Sequence, residues 1–147
     1  MNNCVSIFQS KPINLPFGKC KQRTNLEKHK VLLVEDNAMI RYMEGELLRI
    51  ADCSVSLAAD GKEALKKLKN KPSLIFLDIG LPDINGIELC KKIRAKGITT
   101  PIVMLTAHGD DLRTNALAAG ANEYVIKPLR KEKIKTILQE WQDKTSS

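Results

Sequence analysis

Five short apolar runs, each followed by a stretch of helical period, divide the chain from residue 30 onward. They cover residues 30–34, 54–58, 74–77, 102–105 and 123–126. Strand followed by helix, repeated, is the pattern of βα units on a mostly parallel sheet. The fold class is therefore α/β. Four of the runs are nearly continuous in apolar residues, as strands buried on both faces are. The second, Ser54-Val55-Ser56-Leu57, alternates instead, as expected of a strand near a sheet edge with one face partly wet.

The helical segments follow the same order. A helix over 38–50, capped by Asp36 or Asn37, is expected to turn Ile40, Met43 and Leu47 inward, with Gly45 weakening it by about 1 kcal/mol relative to alanine. A second, over 62–69, buries Ala64, Leu65 and Leu68 and ends at Asn70-Lys71-Pro72, because proline cannot continue it. A third, over 86–96, turns Leu89, Cys90 and Ile93 inward and stops at Gly97, a left-handed cap. The fourth, over 111–119, has only the thin apolar face Leu112, Ala116 and Ala119 and is the helix least firmly held. The fifth, after Pro128, sets Ile134, Ile137, Leu138 and Trp141 against the sheet and Lys131, Lys133 and Lys135 toward water.

A chain of 147 residues suits one well-buried domain. No stretch reaches the roughly 20 apolar residues of a membrane span, and residues 1–17 lack a secretory signal, so the expected location is cytoplasmic. Cys4, Cys20, Cys53 and Cys90 form no C-x-x-C pair, which disfavours zinc and disulfides; Cys53 and Cys90 read as small buried hydrophobes. The net charge of +7 is concentrated near the start. Lys11, Lys19, Lys21, Arg23 and Lys28 face only Glu27 in residues 1–29, whereas the other 118 residues hold 19 basic and 16 acidic groups. Residues 1–29 thus read as a basic, flexible extension, 30–141 as the domain and 142–147 as a C-terminal tail.

Where the runs end carries the chemistry. Glu35 and Asp36 close the first, Asp78 the third, Thr106 the fourth and Lys127 the fifth. Ligands of open α/β sheets bind at the carboxyl ends of the strands, and right-handed crossovers leave few topologies. With strands one, three and four adjacent, three carboxylates, a hydroxyl and an ammonium meet on one rim. Such carboxylates repel, so at least one apparent pKa is expected to rise; a divalent cation removes the conflict. Mg²⁺ held by one or two carboxylates, with water and phosphate oxygens, fits this set.

The segments V-L-L-V-E-D-N, L-I-F-L-D-I-G-L-P-D-I-N-G, I-V-M-L-T-A and Y-V-I-K-P-L resemble a response-regulator receiver domain over residues 30 to 141. The resemblance implies a flavodoxin-like (βα)5 sheet of strand order 2-1-3-4-5. It implies that Asp78 accepts a phosphoryl group from a phosphohistidine, with Mg²⁺ held by Glu35, Asp36, Asp78 and the Gly80 main-chain carbonyl. Thr106 and Lys127 would contact the phosphoryl oxygens, Thr106 and Tyr124 would act as the switch, and Gly80 and His108 would tune phosphoryl lifetime. Pro82 and Gly86 shape the loop after Asp78, and the Lys127-Pro128 peptide is expected to be cis. The output would be the face of helix four, strand five and helix five.

The partners implied are a histidine kinase or histidine phosphotransfer protein and a downstream protein, with the receiver a monomer or a phosphorylation-dependent dimer. It would catalyse only its own phosphorylation and dephosphorylation. With no output domain after helix five, the expected alternatives are a stand-alone or relay receiver, a fragment of a hybrid histidine kinase, and a phosphate-independent docking module. A dehalogenase-type phosphatase would need an acid two residues after the nucleophile, where Gly80 stands. A nucleic-acid role could draw only on the basic extension and is disfavoured.

Overall fold

A computed structural model describes residues 29–145. The expectations for residues 1–28, Cys4 and Cys20 included, lie outside it. Five strands, β1 (His29–Val34), β2 (Cys53–Ala58), β3 (Leu74–Asp78), β4 (Ile102–Thr106) and β5 (Glu123–Ile126), pair in parallel in the order β2-β1-β3-β4-β5. The register sets Val34 beside Ala58 and Leu77, Asp78 beside Leu105, and Thr106 beside Ile126. The polar strand ends thereby share one rim. The alternating second strand lies at the sheet edge.

Two apolar layers enclose the sheet. Leu32, Val34, Ile75, Leu77, Ile102 and Met104 meet α2 (Gly61–Lys67), α3 (Gly86–Ala95) and α4 (Arg113–Ala118) on one face. Val31, Leu33, Phe76, Val103 and Leu105 meet α1 (Ala38–Ile50) and α5 (Lys131–Thr145) on the other. Each buried side chain of this size contributes about 1.5–3 kcal/mol. The inward residues expected for α3 and α5 are buried or partly buried, and Lys131, Lys133 and Lys135 are exposed. Gly97, at φ 82°, follows the end of α3 in the left-handed region. Cys53 and Cys90 are buried free thiols, and burial pushes Cys53 up to about 11.

The expected inner face of α1 is corrected. Leu47 is partly buried against the core, but Ile40 and Met43 are 37% and 56% exposed, and the fully buried residues are Glu44, Gly45 and Leu48. Two anchors set this rotation. Arg41 Nη1 donates to the main-chain oxygens of Glu35 and Asp36 at 2.8 and 3.1 Å. A Cβ on Gly45 would lie 3.3 Å from Leu57 Cδ2, so the glycine lets α1 sit close to β2. Residues at i, i+4 and i+7 (Arg41, Gly45 and Leu48) therefore face the sheet. Met39, Tyr42 and Ile50 are exposed along with Met43.

Two helices are shorter than expected. After α2 the chain tightens into a 3₁₀ turn, Leu68–Asn70, and leaves it through Lys71 at φ 55°. Another 3₁₀ turn, Asp110–Leu112, precedes α4, whose start has no side-chain cap. Without a cap, the first helical N–H groups lack the partner that would extend the α-helix backward.

Candidate functional site

Glu35 leaves β1 with its main-chain N–H bonded to Ala58 O at 3.0 Å, and its side chain is only 1% exposed. Asn37 N donates to Glu35 Oε2 at 3.0 Å, while Asn37 Oδ1 caps α1 by accepting from Ile40 N. Asp36, between them, is exposed.

Asp78 ends β3 as a buried carboxylate whose Oδ1 accepts from Gly80 N at 3.2 Å. The following loop is held tightly. Gly86 N donates to Ile79 O at 2.8 Å, and a Cβ on Gly86 would lie 2.3 Å from Asp78 O. That approach requires glycine. No such requirement exists at Gly80, where a Cβ would meet nothing within 4 Å. Asp83 fastens the same loop to α2 by accepting from Gly61 N and Lys62 N at 2.9 and 3.0 Å.

Thr106 is fully buried, and its Oγ1 accepts from His108 N at 2.9 Å; the His108 side chain is exposed. Lys127 N donates to Thr106 O at 2.7 Å, and the Lys127-Pro128 peptide is cis, as expected. The Lys127 ammonium donates to Glu35 Oε1 and, at 3.3 Å, to Asp78 Oδ2. Tyr124 is buried, its hydroxyl donates to Gly109 O at 2.6 Å, and the Arg113 guanidinium lies 4.8 Å from its ring centroid. The structure thus brings Glu35, Asp36, Asp78 and Lys127 together, with Thr106 behind them. Tyr124 and His108 stand on the side toward α4.

One carboxylate oxygen from each of Glu35, Asp36 and Asp78 lies within 4.8 Å of the others. An all-oxygen, carboxylate-rich set of this size fits a hard divalent cation such as Mg²⁺. The expected rise in pKa falls on Glu35. Burial is its first cause, opposed by Lys127 and the Asn37 N–H and reinforced by Asp78. Burial alone would lower Lys127, but its bond to Glu35 and the surrounding carboxylates outweigh that and raise it.

Residues 31–139 match the response regulator receiver domain family. The chain belongs to that family. The receiver is 41% identical over 101 residues to the alkaline phosphatase synthesis transcriptional regulatory protein PhoP of Bacillus subtilis, covering 67% of this chain and 42% of that protein. It is 37% identical over 137 residues to the osmosensing histidine protein kinase SLN1 of Saccharomyces cerevisiae, covering 87% of this chain and 11% of the kinase. A crystal structure of a two-component response regulator from Clostridium difficile superposes with a TM-score of 0.76 at 34% identity, covering 82% of this receiver and all of that chain. The receiver therefore spans less than half the length of these two curated relatives.

Three contributors to the receiver site escaped the sequence reading: Arg41, Asp83 and Glu44. Arg41 bonds to the main chain just before its own helix and Asp83 to that of a distant segment, contacts for which the sequence offers no periodic signal. Glu44 reads as an outward residue until α1 is rotated. It is 5% exposed, its Oε1 has no hydrogen-bond partner, and burial pushes it up to about 7, against the pull of Lys127 and helped by Glu35 and Asp78.

Proposed function

We propose that this receiver takes a phosphoryl group from a phosphohistidine onto Asp78 in a Mg²⁺-dependent reaction and uses it to switch the face formed by α4, β5 and α5. The observation that carries the reading is the Lys127 ammonium bonded to both Glu35 and Asp78, within a cluster of three carboxylates. A carboxylate held this way is aimed, ready to act as nucleophile. Glu35, Asp36, Asp78 and the Gly80 carbonyl would hold Mg²⁺, which supplies charge neutralisation for the incoming phosphoryl oxygens.

An Asp78 oxygen attacks phosphorus in line, the phosphorus–nitrogen bond breaks, and its electron pair leaves with the donor imidazole, which takes a proton from solvent. The product is an acyl phosphate on Asp78. Lys127 then exchanges a carboxylate oxygen for a phosphoryl oxygen, and the Thr106 hydroxyl donates to another. Because Lys127 N is bonded to Thr106 O, both residues feel the new charge together. Tyr124 and the weakly capped α4 are the elements that respond, and Gly80 and His108 govern how long the phosphoryl survives.

The donor, a histidine kinase or phosphotransfer protein, must reach Asp78 from the open side at Asp36. There Met39, Tyr42 and Met43 present exposed apolar surface at the start of α1, next to that opening, and supply its docking face. Among the described residues no helix is long and apolar enough to cross a membrane. We place the receiver in the cytoplasm, acting as a monomer or phosphorylation-dependent dimer and catalysing only its own phosphorylation and dephosphorylation. The similarity to a histidine kinase favours a second reading, a receiver belonging to a hybrid kinase.

Intact-mass measurement after incubation with phosphoramidate tests the reaction. A single Mg²⁺-dependent phosphoryl adduct, lost in Asp78→Asn, is the expected result. No adduct would leave a phosphate-independent docking module.

A further inference from the structure

The lower half of β2 is uncovered on the face that α2 packs against, and the cause lies in the sequence. The residues facing α2 on β1, β3 and β4 above the sheet's lower edge are Leu32, Val34, Ile75, Leu77, Ile102 and Met104. On β2 the residues in register with Lys30 and Leu32 are Ser54 and Ser56. The helix above them is short. α2 spans seven residues, about 10 Å at 1.5 Å per residue, whereas β2 spans six, about 20 Å at 3.3 Å per residue. The 3₁₀ turn, the left-handed Lys71 and then Pro72 carry the chain away from the strand.

What remains is a cavity of about 350 Å³ lined by Lys30, Ser54, Ser56, Lys67, Asn70 and Pro72, together with Val31 and Leu32. Two lysines, two serines and an asparagine therefore line one space, and none of its lining residues is acidic. Lys67 is fixed at its rim, donating to Leu57 O, and it also pairs with Glu63 at 3.3 Å. That pair is partly exposed and therefore weak, so a more highly charged anion can compete for the ammonium. The surroundings add to the field: residues 61–72 hold five lysines, Lys62, Lys66, Lys67, Lys69 and Lys71, against Glu63. A concave space of this volume, lined by two lysines and no acid, with Glu63 paired to Lys67 beside it, has the chemistry of an anion site.

We propose that this cavity binds a small phosphate-bearing anion, the size of pyrophosphate or a nucleoside monophosphate. Lys30 and Lys67 neutralise the phosphate, and the hydroxyls of Ser54 and Ser56 and the Asn70 amide donate to its oxygens. The site opens at the amino ends of the strands. Lys30 is five residues before Glu35, which is level with Asp78, so about 17 Å separates it from that rim along the sheet. The proposal is independent of phosphorylation at Asp78.

The test is a titration of the full chain, free of Mg²⁺, followed by amide nuclear magnetic resonance. Pyrophosphate is expected to shift the amides of Lys30, Ser54, Ser56 and Asn70 and to saturate below about 1 mM. Adenosine monophosphate is expected to compete, and Asp78→Asn to bind unchanged. Lys30→Gln and Ser56→Val are expected to weaken binding at least about tenfold, equivalent to 1.4 kcal/mol. Lys67 is left intact because it also holds Leu57 O. Absence of saturation, unchanged affinity in either folded variant, or equal shifts with sulfate would overturn the proposal. Saturation by a polyglutamate peptide but not by pyrophosphate would overturn it in favour of a protein-docking face.

Discussion

The Tyr124 hydroxyl and the Gly109 carbonyl, 2.6 Å apart, form the hydrogen bond that joins β5 to the loop before α4. Besides it, the loop is held by His108 N on Thr106 Oγ1 and by Arg113, which pairs with Asp110, and α4 starts without a side-chain cap. Removing the hydroxyl in Tyr124→Phe is expected to cost about 1 kcal/mol and to speed amide exchange over residues 107–113. Phosphorylation of Asp78 should be unaffected. Exchange measured by mass spectrometry, with urea unfolding beside it, checks all three; unchanged exchange would remove Tyr124 from the switch.

Gly86 and Gly80 flank the same loop but differ in what surrounds them. Gly86→Ala places a methyl 2.3 Å from Asp78 O and 2.7 Å from Ile79 Cα, both backbone atoms that cannot step aside cheaply. A loss of about 2–3 kcal/mol is expected, together with slower phosphorylation. Gly80→Ala meets nothing within 4 Å and should be close to neutral in stability. Urea denaturation of the two variants, side by side, decides the contrast.

Glu44 makes stability depend on pH. Its folded pKa of about 7 stands above the ordinary 4.5, so between those values the folded state holds more protons than the unfolded one. Stability from this group is full below about pH 4.5, falls as pH rises toward 7, and is then constant; the total is about 3 kcal/mol. Glu44→Gln should remove this slope and be the more stable protein at pH 8. Unfolding at pH 5 and pH 8 for both proteins tests it. A wild-type slope that survives in the variant would assign it to another group.

Lys127→Ala strips Glu35 of its counter-charge while leaving the carboxylate buried. Breaking one half of such a pair costs about 3–5 kcal/mol. The loss should be largest near pH 8 and smaller near pH 5, where Glu35, already raised, can take up a proton. Mg²⁺ should restore part of it by supplying the missing positive charge. Thermal melts at both pH values, with and without Mg²⁺, give the comparison; equal losses under all four conditions would count against it.

The strands and the polar residues at their ends were legible because each rests on a local signal, whereas the strand order came from the family resemblance. Continuous apolar runs marked four strands, and polar residues at their ends marked the rim. The face of α1 was not legible. Counting apolar residues favours Ile40, Met43 and Leu47, but the helix rotates to satisfy the Glu35 and Asp36 carbonyls through Arg41 and to bring Gly45 against Leu57. Both are tertiary constraints. Glu44 followed Gly45 inward, and so a buried acid beside the site could not be seen in a helical wheel. Asp83 was hidden for a similar reason, since its partners Gly61 and Lys62 lie 22 and 21 residues away.

The staple from Asp83 to the start of α2 makes the site mechanically lopsided. On the β2 side, Asp83 and Arg41 tie both acid-bearing loops to the scaffold through four charge-assisted bonds. On the β5 side, the segment after Thr106 is tied by the His108 and Tyr124 bonds and by the exposed Arg113 side chain, which pairs with Asp110 and lies over the Tyr124 ring. A push originating at Asp78 consequently meets a stiff wall in one direction and a compliant one in the other. On the proposed switch the receiver would act as a rectifier: charge arriving at its centre would always send the displacement out by the same door.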